Sequence, residues 1–319
     1  MKKSKYLKIT SEQIYNKRRK FIKSIGLGVG SLFFYSWGLL TVNKRIFPYN
    51  FIKSIKEKFI PTPPLHEHKR FLNIENQKLI NLSSINLKNL GVFVTYGQSN
   101  SSNHGQIGYI PKNKVYMFND NKIFKYKDPS IGASGIDGSV WGMTGDKIIN
   151  SGLYGEVSFT NTGWGGKTIS QLSKGKLFDY FIEQYLLTLK MYGKVDAILF
   201  HQGEDDAEYH QEDQYYNNFM IFMKKIRKLL PNPRLFLSIV SHSGDPGRHR
   251  IYVENKKLRS QQFRLINDNI DILRGPDTDI LVKREDRLPN WDFTHFSLLG
   301  FDKFSDQWID SLKKSKVGS

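Results

Sequence analysis

Gly91-Val92-Phe93-Val94-Thr95-Tyr96, running into Gly97-Gln98-Ser99-Asn100, is the stretch on which the reading of this 319-residue chain turns. Its first half is a short run rich in β-branched and aromatic residues, the composition of a strand and too short for a helix. The glycine that follows permits the sharp turn by which a chain leaves a sheet. A serine in such a turn exposes its hydroxyl and directs its backbone N–H beyond the strand end, as a nucleophile requires. A serine after a strand is also a common helix N-cap, so the rest of the chain has to decide between the two.

Working outward, further strands are expected at Glu156 to Asn161, Val195 to His201 and Arg234 to Val240, with a weaker one at Ile280 to Val282. Helical patterns cover Leu177 to Tyr192, Asp213 to Leu230, Asn255 to Asp268 and Leu299 to Leu312, the second stopped by Pro231. Strands alternating with helices imply an α/β fold with a mostly parallel sheet. Right-handed crossovers then collect the strand C-terminal ends on one edge, where open α/β sheets carry their sites.

Three more polar motifs fall at those ends. Thr162-Gly163-Trp164-Gly165-Gly166-Lys167-Thr168-Ile169 follows the second strand, and its glycines let a backbone N–H approach a ligand. A flexible loop into a helix would read the same way. Phe200-His201-Gln202-Gly203-Glu204-Asp205-Asp206-Ala207 follows the third. There the Gln202 amide can donate to a developing oxyanion, and Glu204 can hold neighbouring loops. Its acidic run is too sparse in convergent oxygens for a hard cation, so no metal is expected. Asp292-Phe293-Thr294-His295 precedes the last helix, with a spacing that lets Asp292 accept from one imidazole nitrogen while the other faces outward.

Each motif is weak alone, but in this order the four resemble the SGNH hydrolases, in particular the carbohydrate esterases similar to sialate O-acetylesterases. The resemblance spans about residues 90 to 312 and is seconded by Ser139-Val140-Trp141 and by Arg259 to Gln262. It implies a three-layer α/β/α sandwich of flavodoxin-like type and a serine esterase that removes acetyl groups from carbohydrate without a cofactor. Ser99 would be the nucleophile, His295 the general base and Asp292 its orienting partner. The backbone N–H groups of Ser99 and Gly166 and the Gln202 amide would form the oxyanion hole. Gln98, Asn100, Gly165, Gly203 and Glu204 would support them. Asp205 stands where the family often has Ser, and Phe293-Thr294 is a bulky filling between Asp292 and His295. Both bear on substrate fit. Trp141, Trp164 and Trp291 could stack on sugar rings or simply pack in the core. His104, His201 and His242 are read as structural.

Two other functions remain open on the same residues: an acetyltransferase that passes the acyl group from Ser99 to an exported polysaccharide, and a non-catalytic glycan-binding protein of the cell envelope. The formal net charge of +18 does not point to nucleic acid. Residues 1–60 hold 14 Lys and Arg against two Glu, which leaves +6 for the remainder. With no cysteine, thiolate nucleophiles and Cys-based metal sites are excluded.

The N-terminal charge precedes an uncharged apolar stretch, residues 25–42, long enough for a signal peptide or a membrane anchor. Arg18 and Arg19 fit a twin-arginine export signal or the positive-inside rule equally well. No small-x-small cleavage site follows Val42, which favours an anchor. The expected plan is a basic segment with leader or anchor over 1–45, a membrane-proximal linker over 46–88, and an esterase domain over 89–319 on the extracytoplasmic side. Oligomeric state is not legible.

Overall fold

The structure, a computed structural model, describes residues 69–242, 254–288 and 292–315. The basic segment, the apolar stretch 25–42 and the linker as far as residue 68 lie outside the described residues. Among those described, no helix is long and apolar enough to cross a membrane. The chain divides into two compact units, residues 1–67 and 68–319, and the sheet and its helices belong to the second.

Seven strands form one sheet in the order β3-β2-β4-β1-β5-β6-β7. They are β1 (Leu90–Gly97), β2 (Val115–Asn119), β3 (Lys122–Lys125), β4 (Glu156–Asn161), β5 (Ala197–His201), β6 (Leu235–Ile239) and β7 (Ile272–Asp277). All neighbouring pairs are parallel except β2 with β3. Every residue of β1 is buried, as expected of a central parallel strand covered on both faces. Its alternate side chains serve two cores. Phe93 packs with Trp141, Phe159, Phe304 and Trp308 on one side, while Val94 and Tyr96 join Phe181, Phe200, Phe219 and Phe222 on the other. The α/β/α layering follows from this division.

The helices on the first face are α1 (Trp141–Asn150) and α7 (Leu298–Lys314). Those on the second are α3 (Gly175–Tyr192), α5 (Tyr215–Leu229) and α6 (Lys256–Asp268), joined by the short α2 (Ile169–Leu172) and α4 (Glu204–Glu208). Phe178, Phe181, Ile182 and Tyr185 give α3 a buried stripe at helical spacing, and Gly193, at φ 75°, closes it. Asn255 and Ser297 cap α6 and α7 by accepting the N–H groups of Leu258 and Gly300 at 3.0 and 3.1 Å.

The architecture agrees with the sequence reading, from which β7, β2, β3, α1 and residues 69–88 depart. The last strand is Ile272–Asp277, whereas Ile280 closes a 3-10 turn at Thr278–Ile280. An outermost strand tolerates the Gly275-Pro276 pair that masks its pattern. β2 and β3, which are not among the strands expected from sequence, form a hairpin through Asp120 and Asn121, both left-handed at φ 46° and 61°. α1 carries Gly142 and Gly145, poor helix formers. A Cβ at Gly145 would come within 2.6 Å of Val115, so the glycine lets the helix lie directly on the sheet. Residues 69–88, assigned to the linker, include a segment that packs on this unit. Phe71 exchanges hydrogen bonds with Gly132 and Ala133, and Ile80 donates to Ile123.

Candidate active site

β4, β1 and β5 are neighbours, so the chain segments leaving their C-terminal ends meet. Gly97 pairs with His201 across β1 and β5. At φ +134° it has no room for a side chain, since a Cβ would lie 2.0 Å from the His201 carbonyl oxygen. The Ser99–Ser101 turn begins there. Ser101 and Ser102 both donate their hydroxyls to the Gln98 carbonyl, and the Trp141 indole donates to the Ser101 carbonyl at 2.9 Å. Trp141 is thereby fully buried core, and the sugar-stacking alternative is withdrawn for it. The β4 loop closes over the turn: Trp164 N–H donates to the Gly97 carbonyl, and a Cβ at Gly163 would meet the Ser101 and Ser102 hydroxyls within 2.5 Å.

Ser99 is 6% exposed, and its hydroxyl has no hydrogen-bond partner among the described residues. The backbone N–H groups of Ser99 and Gly166 likewise meet no acceptor there. Two free donors and a free hydroxyl at the C-terminal end of the central strands are what acyl transfer requires.

His295 Nδ1 lies 2.6 Å from Asp292 Oδ2, while Asp292 Oδ1 accepts the N–H groups of Thr294 and His295 at 2.9 and 3.0 Å. Burial pushes the Asp292 carboxyl up, but the His295 bond and charge and the two backbone donors outweigh it and bring it down to about 2. The imidazole thus has one nitrogen tied and the other left to act. Asn100 joins this segment to the serine turn, its Nδ2 donating to the Thr294 carbonyl at 3.1 Å and to Glu204 Oε1 at 2.8 Å. Arg287 Nη1 holds the same Thr294 carbonyl from the other side at 2.6 Å. No hydrogen bond joins Ser99 to His295 in this structure; such bonds often tighten only when substrate arrives.

The third motif divides its carboxylates. Glu204, buried, accepts from Asn100 and meets His201 Nε2 at 2.9 Å. Burial would raise its carboxyl, yet the His201 charge and the bonds from His201 and Asn100 lower it to about 2. Asp206 faces away from Glu204's partners and accepts the Ile169 N–H at 2.8 Å together with the Gln202 amide. Among the described residues, no group of three or more His, Asp or Glu converges. Gln202, expected as an oxyanion donor, has its Nε2 engaged by Asp206 and, at a long 3.3 Å, by the Lys167 carbonyl. The N–H groups of Gly203 and Asp205 reach the Gln98 side chain at 3.3 Å, and a Cβ at Gly203 would meet the Val240 carbonyl at 2.1 Å.

Some neighbours of the site were not singled out by sequence. Ser134 Oγ accepts the Gly165 N–H at 2.8 Å and lies 3.1 Å from His104 Nε2, and the His104 ring stacks 5.6 Å from His295. Arg70 stacks over Tyr180 and Trp164 and donates to the Gly132 and Thr162 carbonyls. No local spacing announces such contacts, which join segments far apart in the chain. Trp291 lies outside the described residues.

Residues 89–297 match the family described as carbohydrate esterase, sialic acid-specific acetylesterase. Among solved structures the fold is similar to a protein of Arabidopsis thaliana, 16% identical, with 71% of this chain and 98% of that one covered at a TM-score of 0.57. A carbohydrate acetylesterase from Xanthomonas citri is 13% identical over 72% of this chain and 57% of its own, at 0.48. A lipase/acylhydrolase from Enterococcus faecalis is 16% identical over 70% and 96%, at 0.47. No sequence among the curated proteins matches.

Proposed function

This chain belongs to the sialic acid-specific acetylesterase family of carbohydrate esterases and is a carboxylic ester hydrolase, and from that premise we propose that it hydrolyses O-acetyl esters on carbohydrate through an acyl-serine intermediate on Ser99. The observation that carries the proposal is the Asp292–His295 bond of 2.6 Å, tethered by Asn100 to the serine turn. His295 takes the Ser99 proton as the hydroxyl attacks the acetyl carbonyl, and ionised Asp292 stabilises the imidazolium. The N–H groups of Ser99 and Gly166, with Gln202 as third donor, receive the oxyanion, each donor being worth about 3 to 4 kcal/mol in comparable sites. The sugar oxygen leaves with the proton from His295, and water, activated by the same imidazole, releases acetate. Export is part of the proposal, with residues 25–42 as anchor, because the positive charge in residues 1–60 is retained on the cytoplasmic side.

The test is hydrolysis of p-nitrophenyl acetate and of O-acetylated sialic acid by the full-length chain beside Ser99→Ala and His295→Ala. Loss of about 10³-fold or more in both variants supports the mechanism. Equal rates for parent and variants would sink it. Acetate released only when a glycan acceptor is added would favour the transferase.

A further inference from the structure

Gln202 presents a difficulty for the proposed reaction: both N–H groups of its amide are used inside the protein. They are not used equally. One is taken by Asp206 Oδ2, and the other reaches the Lys167 carbonyl only at 3.3 Å, near the limit of a useful bond. The same Asp206 oxygen accepts the Ile169 N–H at 2.8 Å, three residues beyond Gly166. One fully buried carboxylate therefore grips both segments that bear the proposed oxyanion donors.

We propose that Asp206 is the positioning residue of the oxyanion hole. It holds one Gln202 N–H so that the other swings from the Lys167 carbonyl to the substrate oxygen, and it keeps the Gly166 loop in register with Gln202. This assignment rests on the acyl-serine reading above. The Gln202 backbone cannot supply the aim unaided. Its carbonyl is fixed by the Tyr215 hydroxyl at 3.1 Å and by Gln262 at 3.4 Å, but those bonds leave the amide free to rotate. Among the described residues the buried Gln202 Oε1 has no partner, so none of them holds the amide on that side either.

A charge dependence follows. Ionised, Asp206 makes charge-assisted bonds to both donors; protonated, the same oxygen is a neutral and weaker acceptor. Burial pushes its carboxyl up to about 6 despite the bonds from Ile169 and Gln202, with Glu204 adding repulsion. Asp205 and Glu204 face it from its own helix, Tyr215 from α5, and Lys167 from the β4 loop offsets the acidic run at Asp205. As pH falls through that value, the grip on Gln202 weakens from a charge-assisted to a neutral hydrogen bond.

The experiment compares the full-length chain with Asp206→Asn, Asp206→Ala and Ser99→Ala, measuring kcat and KM on p-nitrophenyl acetate from pH 4.5 to 8.5 and the thermal midpoint of each. Asp206→Ala should lose about 10 to 10² in kcat with KM within about threefold, part of what a missing oxyanion donor costs. Asp206→Asn keeps an acceptor oxygen in place and should stay within about fivefold of the parent at pH 8, while the acid limb of log kcat loses one ionisation. Parental kcat for Asp206→Ala, or a loss confined to KM, overturns the assignment. Should Asp206→Ala fail to fold, the acid limb of Asp206→Asn decides, and an unchanged limb overturns it. If Ser99→Ala is inactive while both Asp206 variants match the parent, only this assignment falls. If Ser99→Ala matches the parent, the acyl-serine reading falls and takes this one with it.

Discussion

Gly97 bears the tightest constraint on the site. Its φ of +134° and a Cβ position 2.0 Å from the His201 carbonyl leave no conformation for another residue. Gly97→Ala must separate β1 from β5 where both deliver active-site residues, and should destabilise the fold by roughly 1 to 3 kcal/mol while abolishing most esterase activity. Urea midpoints with turnover at the same temperature check both. In the proposed mechanism Asp292 acts through His295. Asp292→Asn keeps the shape but favours the wrong tautomer, and kcat should fall by about 10⁴. The depressed Asp292 carboxyl contributes stability that is full above its ordinary range near 4 and lost as pH falls through about 2. The variant should therefore be less stable than the parent at pH 7 and equal to it at pH 2. At this scale Ser99, Asp292 and His295 were legible as candidate site residues because each stands in a motif with a mechanism. Asp206 was not: in sequence it is one carboxylate in an acidic run, and only the fold separates it from Glu204.

Elements were legible where local pattern and burial agree. β1, β5 and β6 are short apolar runs, β4 alternates Val157 and Phe159 with polar residues, and α3, α5, α6 and α7 carry helical stripes, so their bounds fall within a few residues of expectation. They were illegible where packing overrode propensity: the glycines of α1 serve close approach to Val115, and β7 tolerates proline because it has no outer neighbour. The segment around Arg70 is a third case. It lies outside residues 89–297 and carries no periodic pattern, yet its guanidinium stacks 3.5 Å from the Tyr180 ring centre and holds the Gly132 and Thr162 carbonyls. Arg70→Ala should cost roughly 1 to 3 kcal/mol through the lost stacking and hydrogen bonds, read as a lower urea midpoint. Arg70→Lys should recover little, because an ammonium cannot lie flat between two rings while donating to two carbonyls.

Among the described residues, the carboxyls whose acidity departs from its ordinary value fall into two groups with opposite effects on pH stability. Glu204 and Asp292, held near 2 by their histidines and backbone donors, stabilise the fold above their ordinary values and cease to do so as pH falls. Asp128 and Asp205 are pushed up to about 7 and Asp206 to about 6, chiefly by burial. A raised carboxyl contributes stability that is full below its unfolded value near 4 and is lost as pH rises through the folded value. The fold should therefore be most stable around pH 4 to 5 and weaken toward pH 8. The proposed positioning of Gln202 is strongest with Asp206 ionised, so the enzyme should work best where its stability is already declining. Asp128 separates the two effects, since its carboxylate bonds Tyr126 and Ser139 in the core and no residue of the serine turn. In Asp128→Asn the amide oxygen can accept the Ser139 N–H and the amide nitrogen can donate to the hydroxyls. The group no longer ionises. Its urea midpoint should change less between pH 5 and pH 8 than the parent's, while the pH dependence of kcat stays where it was. A parent midpoint that rises with pH over this range would mean that the three raised carboxyls do not govern stability. A shifted kcat profile in Asp128→Asn would mean that the core network and the site are coupled.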